Sequence, residues 1–569
     1  MPKSDLILLH APSNYDFRKR AILYGPISDL IPPTSIFEMY PIGFVGIGAY
    51  LERNGFHTRI INIANRMLQS RKFNVERFIS NLSSDAFGID LHWLPHAHGS
   101  LEIARIVKKH HPSTPVIFGG LSSSYFSEEL IKYPQVDFVV RGDSTEVPMA
   151  ELMKRLKDKA PFDDVPNLSW KDDNGVPHHN PLSWVPAHLD GVPLDYDYPT
   201  RSVLKYRDLS SIIPFKNWLE YPITMALSCR GCTHNCVTCG GSEYSYRNSY
   251  GREQPAYRSP QLIARDVRSV QRYLNAPVFI IGDIRQAGDD YADELLSALR
   301  AEKARGQIVL ELFSPASRQF FQKVKSAIPK FNIQMSVETH DENVREAFGK
   351  RYKNRDMEET IKHALEAGCQ RFDLFFMTGL PKQDYNSVMD TAGYCDRILT
   401  DLGGDQRLHP YISPMAPFLD PGSMVFENPQ AFGYTSMFRS LEEHRQALLN
   451  PSWKYMLSYE TQWMSRDEIV ESAYQVAMAF NNFKRKHGLV SARTAEEVDQ
   501  RAKDALLLIE EVDRLVKQGG IELGQEKMTQ TVALSNSATC EKRELEWPAV
   551  SFLRNVPRIL RAACTRTVL

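Results

Sequence analysis

The chain has 569 residues, 43% hydrophobic and 24% charged, with 68 Lys and Arg against 69 Asp and Glu. That length allows three or four domains of ordinary size, and the composition is that of a soluble globular protein; a net charge of −1 argues against nucleic acid as a partner. No apolar run reaches the roughly 18–20 residues that span a bilayer, and the short apolar stretch after Asp5 lacks a cleavage pattern, so a cytoplasmic location is expected.

Residues 1–155 alternate strand and helix signals. Strands are predicted at 5–10, 58–63, 86–90, 116–120 and 138–141, with helices at 44–54 and 100–110 between them. Short β-rich runs ending in glycine and separated by helices imply a doubly wound parallel sheet, whose ligands sit beyond the carboxyl ends of the strands. Residues 156–220 are rich in Pro, Asp and aromatics and read as a small β connector, with Asp173-Asn174-Gly175 as a hairpin turn. From 221 to 414 the alternation resumes. Strands are predicted at 223–227, 278–281, 308–313, 333–338, 372–377 and 409–413, and helices at 259–273, 291–304, 357–367 and 385–399. Six such units make an open barrel, with chemistry at the carboxyl ends of its strands. Residues 415–520 read as loops followed by helices at 466–486 and 494–517, and the start of the 521–569 tail reads as polar and poorly ordered to about Glu546. Its end, from Trp547, carries Arg554, Arg558, Arg561 and Arg566 and no acid, with Phe552, Val556, Ile559, Leu560 and Ala563 at helical spacing. Such a helix suits an anionic membrane surface, or docking onto the barrel or a second subunit, with Pro557 confined to its first turn.

Four of the eight cysteines crowd together at Cys229, Cys232, Cys236 and Cys239, directly after the first barrel strand. In a large chain without secretory signals such a cluster indicates a metal site. Structural zinc sites normally use two separated pairs, and no second pair exists here. Cys232, Cys236 and Cys239 form Cx3Cx2C, which brings three sulfurs to one side of a turn and suffices for a [4Fe–4S] cluster with one iron open. Cys229 has the wrong spacing and is assigned no ligand role.

This segment, with Arg230-Gly231 before it and Gly240-Gly241 after it, resembles the radical SAM superfamily. The resemblance implies S-adenosylmethionine (SAM) on the open iron, reductive cleavage to a 5′-deoxyadenosyl radical, and an electron donor such as flavodoxin or ferredoxin. It implies SAM contacts at Gly282 and Asp283 (a glycine–acid motif near the amino group), at Glu338, and at Gly379 in the turn Thr378-Gly379-Leu380-Pro381. Thr238 departs from the family, which usually has an adenine-covering aromatic there.

The upstream sheet is similar to that of the cobalamin-binding subclass. The matching features are Pro41-Ile42-Gly43, Phe118-Gly119-Gly120, and the run from Val139 through Arg141, Gly142 and Asp143 to Glu146. The resemblance implies cobalamin with its nucleotide tail against Gly119 and Gly120 and with contacts at Arg141 and Gly142. The DxHxxG lower-ligand motif is missing. Asp90-Leu91-His92 offers a histidine with two readings, facing the corrin or hydrogen-bonding within its own loop, of which the second is preferred. Gly43, Gly46 and Gly48 are read as helix packing.

The expected fold class is thus α/β: a flavodoxin-like cobalamin-binding domain, a partial (β/α)6 radical SAM barrel and a mainly helical C-terminal region. The expected function is methylation of an unactivated carbon on a small-molecule or lipid substrate. The rivals are radical cyclisation, rearrangement or C–C coupling, and a non-catalytic Fe–S or corrinoid-binding protein.

Overall fold

A computed structural model describes residues 3–518 except 193 and 305, together with 539–547 and 549–564. Its first sheet contains β1 (Ser4–His10), β2 (Thr58–Asn62), β3 (Ser84–Asp90), β4 (Val116–Gly119), β5 (Phe138–Val140), β6 (Leu168–Lys171) and β7 (Pro177–His179), in the order β2-β1-β3-β4-β5-β6-β7. Strands β1 to β5 are parallel. Leu6, Ile7, Leu8 and Leu9 are at most 1% exposed, because helices cover both faces of such a sheet and its strands therefore read as unbroken apolar runs. The hairpin over Asp173-Asn174-Gly175 forms as expected, but it is not a separate connector. Strand β6 pairs antiparallel with β5 and extends the first sheet. The helix Gly43–Arg53 packs so closely that a Cβ on Gly48 would lie 2.6 Å from the Tyr198 ring.

The second sheet holds β8 (Thr224–Leu227), β11 (Val278–Ile281), β12 (Ile308–Leu312), β13 (Phe331–Glu338), β14 (Arg371–Thr378) and β15 (Leu408–Pro414), all parallel, in the order β15-β14-β13-β12-β11-β8. Strands β8 and β15 are its two edges, so the barrel is open. Between β8 and β11, the two-residue strands β9 (Cys229–Arg230) and β10 (Ala256–Tyr257) pair antiparallel. The helix Pro260–Tyr273 has Pro at its first position and buries Ile263, Val267 and Val270 on one stripe. The helices Arg466–Lys486 and Ala492–Lys517 follow, the first packing on β15.

The carboxyl ends of the two sheets face each other. Residues just past β4 and β5 meet residues past β8 and β15. Tyr125 OH donates to Glu427 at 2.6 Å, and the Arg252 guanidinium, 3.0 Å from the Asp143 carboxylate at one contact, clamps it. By the rule for α/β sheets, both ligand-binding edges therefore share one interior.

The tail corrects two expectations. Poor order was expected up to Glu546, yet from Thr539 the chain is packed into the fold. Thr539 and Cys540 are buried, Lys542 donates to the carbonyls of Ile31 and Pro33 at 2.7 Å, and Trp547 Nε1 donates to Asp373 at 2.8 Å. These polar residues find partners hundreds of positions away, which local composition does not reveal. The helix Phe552–Cys564 forms, but Pro557 is its sixth residue and lies beyond the first turn. Its missing N–H leaves the carbonyl of Leu553 without a helical donor. Residues 521–538, the side chains of 559–564 and Arg566 lie outside the described residues.

Candidate active site

The cysteine loop leaves β8 and ends at the helix Glu243–Tyr250, whose N-cap Ser242 accepts from Ser245 N–H. It is held from three sides. Val237 N–H donates to the Phe348 carbonyl, Val425 N–H to the Val237 carbonyl, and Gly240 N–H to Asp420 at 3.0 Å. Gly349, at φ +112°, lets the backbone approach: a Cβ there would lie 2.6 Å from the Asn235 carbonyl oxygen. Cys232, Cys236 and Cys239 are free thiols of intermediate exposure. Backbone N–H groups already point at two sulfurs, His234 N 3.4 Å from Cys232 Sγ and Gly241 N 3.3 Å from Cys239 Sγ. Amide donors of this kind tune Fe–S clusters. Burial raises all three thiols, that of Cys236 to about 12, so loading iron must displace protons. Cys229 is buried, and its sulfur lies against the backbone of Gly282. The residue types and their chemistry fit a cluster.

Strand ends around this loop carry the other candidates. Gly282 sits at φ +88° immediately after β11. Asp283 is not available to a ligand: Arg285 occupies both its oxygens and Phe313 N–H donates to Oδ2 at 3.0 Å. A carboxylate with unused capacity is Glu311, on the neighbouring β12, which accepts Gly282 N–H at 2.9 Å through one oxygen. Glu311 reads in the sequence as an ordinary alternating strand position, so no signal singled it out. Glu338 holds a left-handed backbone, φ +68°, and pairs with the buried Lys350 at 2.6 Å. Burial pulls the Lys350 ammonium down, but Glu338 outweighs it and holds Lys350 charged. Gly379 is fixed by Gln383, which accepts its N–H at 2.8 Å, and by Tyr434, whose hydroxyl donates to its carbonyl at 2.7 Å.

Burial pushes Glu311 up to about 7 from its usual 4.5. Between those values the folded chain holds a proton that the unfolded chain has lost, so stability falls as pH rises through this window and the whole penalty is felt above it. Ligand-free Glu311→Gln protein is therefore expected to melt above the wild type at about pH 8 and to match it at about pH 4, as read by calorimetry.

In the first sheet a cavity of about 140 Å³ opens at the carboxyl ends of β3, β4 and β5. Its wall is stripped of side chains at Gly43, Gly88, Gly119, Gly120 and Gly142. Gly120, at φ +115°, would put a Cβ 2.5 Å from His92 Cα, so it carries close backbone contact as well. A slot with glycine and aliphatic walls suits a flat nucleotide base, and the residues fit a cobalamin tail. Gly43 lines this cavity, in addition to opening the helix. Arg141 does not line it: its guanidinium turns to the carbonyls of Leu168 and Asn180 in the hairpin.

Asp90 accepts from two histidines. His10 Nδ1 lies 3.0 Å and His92 Nδ1 2.6 Å from its oxygens. Burial would raise this carboxyl, but the two imidazoles hold it well below the usual range. His92 thus does both things open to it: it bonds within its loop and lines the cavity mouth.

The two halves are joined at Arg230, in the cysteine loop. Its guanidinium reaches the first sheet, 3.0 Å from Glu146 Oε2 and 3.0 Å from Ser144 Oγ, and lines the same cavity. Glu146 is only 2% exposed. Removing one member of a buried pair strands the other, at a cost of roughly 3–5 kcal/mol. Arg230→Ala protein is expected to lose about that much in urea unfolding, and Arg230→Ala/Glu146→Gln protein to regain a large part of it. Asp420 also bridges the halves, since its side chain meets Gly240 N–H and Trp93.

Residues 227–395 match the Radical SAM superfamily and residues 34–151 the B12 binding domain. An uncharacterized methyltransferase, PH0819, of Pyrococcus horikoshii is 21% identical over 409 residues, covering 70% of this chain and 82% of its own length. Two solved structures share the fold. The radical SAM methyltransferase TsrM from Kitasatospora setae, with cobalamin and a [4Fe–4S] cluster bound, has a TM-score of 0.57 at 14% identity, covering 88% of this chain and all of its own. The cobalamin-dependent SAM radical enzyme OxsB, with aqua-cobalamin and SAM bound, has a TM-score of 0.54 at 13% identity, covering 99% of this chain and 81% of its own. Among the described residues no helix is long and apolar enough to cross a membrane. With a cysteine loop at the mouth of an open parallel barrel and a glycine-walled cavity facing it, the chain carries a radical SAM domain over residues 227–395 and a B12-binding domain over residues 34–151.

Proposed function

We propose that the chain is a cobalamin-dependent radical SAM methyltransferase that methylates an unactivated carbon of a small-molecule substrate. The observation that carries this reading is the face-to-face placement of the two carboxyl edges, with Arg230 of the cysteine loop reaching into the wall of the glycine-lined cavity. When bound, the cluster supplies the electron that cleaves SAM and cobalamin supplies the methyl group.

The chain's own residues position and enclose. Cys232, Cys236 and Cys239 hold the iron. Glu311 receives the SAM ammonium, with Gly282 N–H orienting its carboxylate. Lys350 keeps Glu338 in place beside the loop. Gly379, pinned by Tyr434 and Gln383, presents backbone to the adenine, whose usual aromatic cover is replaced by the buried Thr238. Asp420 and its loop close the barrel mouth against the first sheet and exclude water. A flavodoxin or ferredoxin provides the reducing electron, and the helix Phe552–Cys564 is a peripheral membrane contact.

The test uses the anaerobically reconstituted protein with SAM and a reductant. It should release 5′-deoxyadenosine, and with added hydroxocobalamin it should also form S-adenosylhomocysteine. The second product separates methyl transfer from radical cyclisation or coupling, which need only the first. Neither product, with the cluster and corrinoid both loaded and candidate substrates supplied, sinks the proposal.

A further inference from the structure

A second cavity, of about 330 Å³, lies at the opposite end of the barrel from the cysteine loop. Its wall includes Thr224 and Met225 at the start of β8, whereas the cysteines follow that strand's end. Its volume falls in the range of ligand pockets, about 300–1,000 Å³. Its lining is almost wholly apolar, with Ile212, Phe215 and Trp218 on one side and Val270 and Leu274 on the other. Two hydroxyls of the wall are already paired: Tyr40 OH donates to the Ile212 carbonyl at 2.7 Å, and Thr224 Oγ1 to the Pro277 carbonyl at 3.0 Å. An occupant therefore finds aliphatic and aromatic contact there.

The rim is of a different character. Leu204 is 70% exposed and Leu209 38% exposed, both lining the opening, and Leu553 is 76% exposed on the helix beside it. Large aliphatic side chains left in water together mark an interaction surface. Phe552 of that helix packs against Trp218 at a tilt of 47° with centroids 5.6 Å apart, and Asn555 ties the helix down by accepting Asn275 N–H at 2.7 Å. This turns Arg554 and Arg558 outward, and both are exposed. Lys205, Arg207 and Lys216 are exposed next to Leu204, Leu209 and Trp218 in the sequence. Of the acids in these segments, Asp208 is consumed by Arg59 and Arg66, leaving Glu220 against five cations.

From this juxtaposition of an apolar cavity and a cationic rim, we propose that the face docks on an anionic lipid surface and takes one acyl chain into the cavity while the cations meet the headgroup. This names the ligand and the site for the membrane contact read above and rests on that reading. The site is an anchor, because the cavity is remote from the cysteine loop. Apolar burial and headgroup attraction are the two contributions that bind interfacial helices, with about 1 kcal/mol from each basic residue near the surface.

The full-length protein is to be sedimented with phosphatidylcholine vesicles with and without phosphatidylglycerol. Brominated acyl chains in a second set of vesicles report contact with Trp218, with Trp218→Phe protein as the blank. Expected are sedimentation that needs phosphatidylglycerol and weakens with salt, and bromine quenching that disappears in the blank. Arg554→Ala/Arg558→Ala protein should bind about 30-fold more weakly, and Leu204→Asp protein should lose the quenching. Both sets of positions are exposed, so folding is not at stake. Sedimentation without quenching of Trp218 overturns the acyl site while leaving the surface contact; no sedimentation overturns both. Self-association abolished by Leu204→Asp also overturns the proposal, because the face would then be covered by a second copy of the chain.

Discussion

Cys236→Ala protein is expected to purify without a [4Fe–4S] cluster and to release no 5′-deoxyadenosine, while Cys229→Ala protein keeps both. The four thiols are close in sequence but differ in setting. Cys229 lies in β9, paired across to Tyr257, with its sulfur packed against Gly282 and directed at the Gly231 carbonyl. The other three are on the turn beyond, partly exposed, with amide N–H groups on the sulfurs of Cys232 and Cys239. Loss of a supporting contact around a metal typically costs about 10–100-fold, and loss of a ligand from a three-ligand site should go well past that, to background activity. Iron content, visible absorbance and the electron paramagnetic resonance of the reduced protein check the result, with a melting curve to show that the variant is folded. If Cys229→Ala alone strips the iron, the ligand set is wrong.

Much of the fold was legible because its determinants are local. Leu6 to Leu9 form a parallel strand covered on both faces, so the apolar run itself marks it. The helix Arg466–Lys486 starts at a Ser465–Glu468 capping box that a linear reading can see. The cysteine spacing is equally local, since the three thiols read as ligands share one turn. Legibility ended where partners are distant or a carboxylate is already taken. Asp283 follows Gly282 as the family resemblance implies, yet Arg285, two residues on, consumes it. Glu311 acquires its place only when β12 pairs with β11 and puts it under Gly282 N–H. Arg230 and Glu146 are 84 positions apart, and nothing in either segment announces the other. The hairpin at Asp173-Asn174-Gly175 was visible as a turn, but its docking on β5 depends on an edge that no local pattern describes.

Gly119→Phe protein is expected to lose its corrinoid while keeping its iron–sulfur cluster and its capacity to cleave SAM. Gly119 is the better of the two adjacent glycines for this test. At Gly120 a side chain would strike His92 backbone atoms and meet a positive φ, so misfolding would confuse the result. At Gly119 the nearest atom to an added Cβ is the Val140 carbonyl oxygen at 3.8 Å, an ordinary contact, and the ring beyond it projects into the cavity. In a space of about 140 Å³ a phenyl ring leaves no room for a nucleotide base. Binding is therefore expected to fall from near one corrinoid per chain to near none. The cysteine loop is fastened through Asp420, Phe348 and Val425, none of which touches Gly119, so the cluster should remain. S-adenosylhomocysteine formation should vanish while 5′-deoxyadenosine persists. Retention of corrinoid at full stoichiometry would place the tail elsewhere than in the glycine-walled cavity. Loss of 5′-deoxyadenosine together with the corrinoid, in folded and iron-loaded protein, would mean that corrin occupancy is needed for SAM cleavage, and Arg230, which touches both the cavity and the loop, is the group through which that dependence would run.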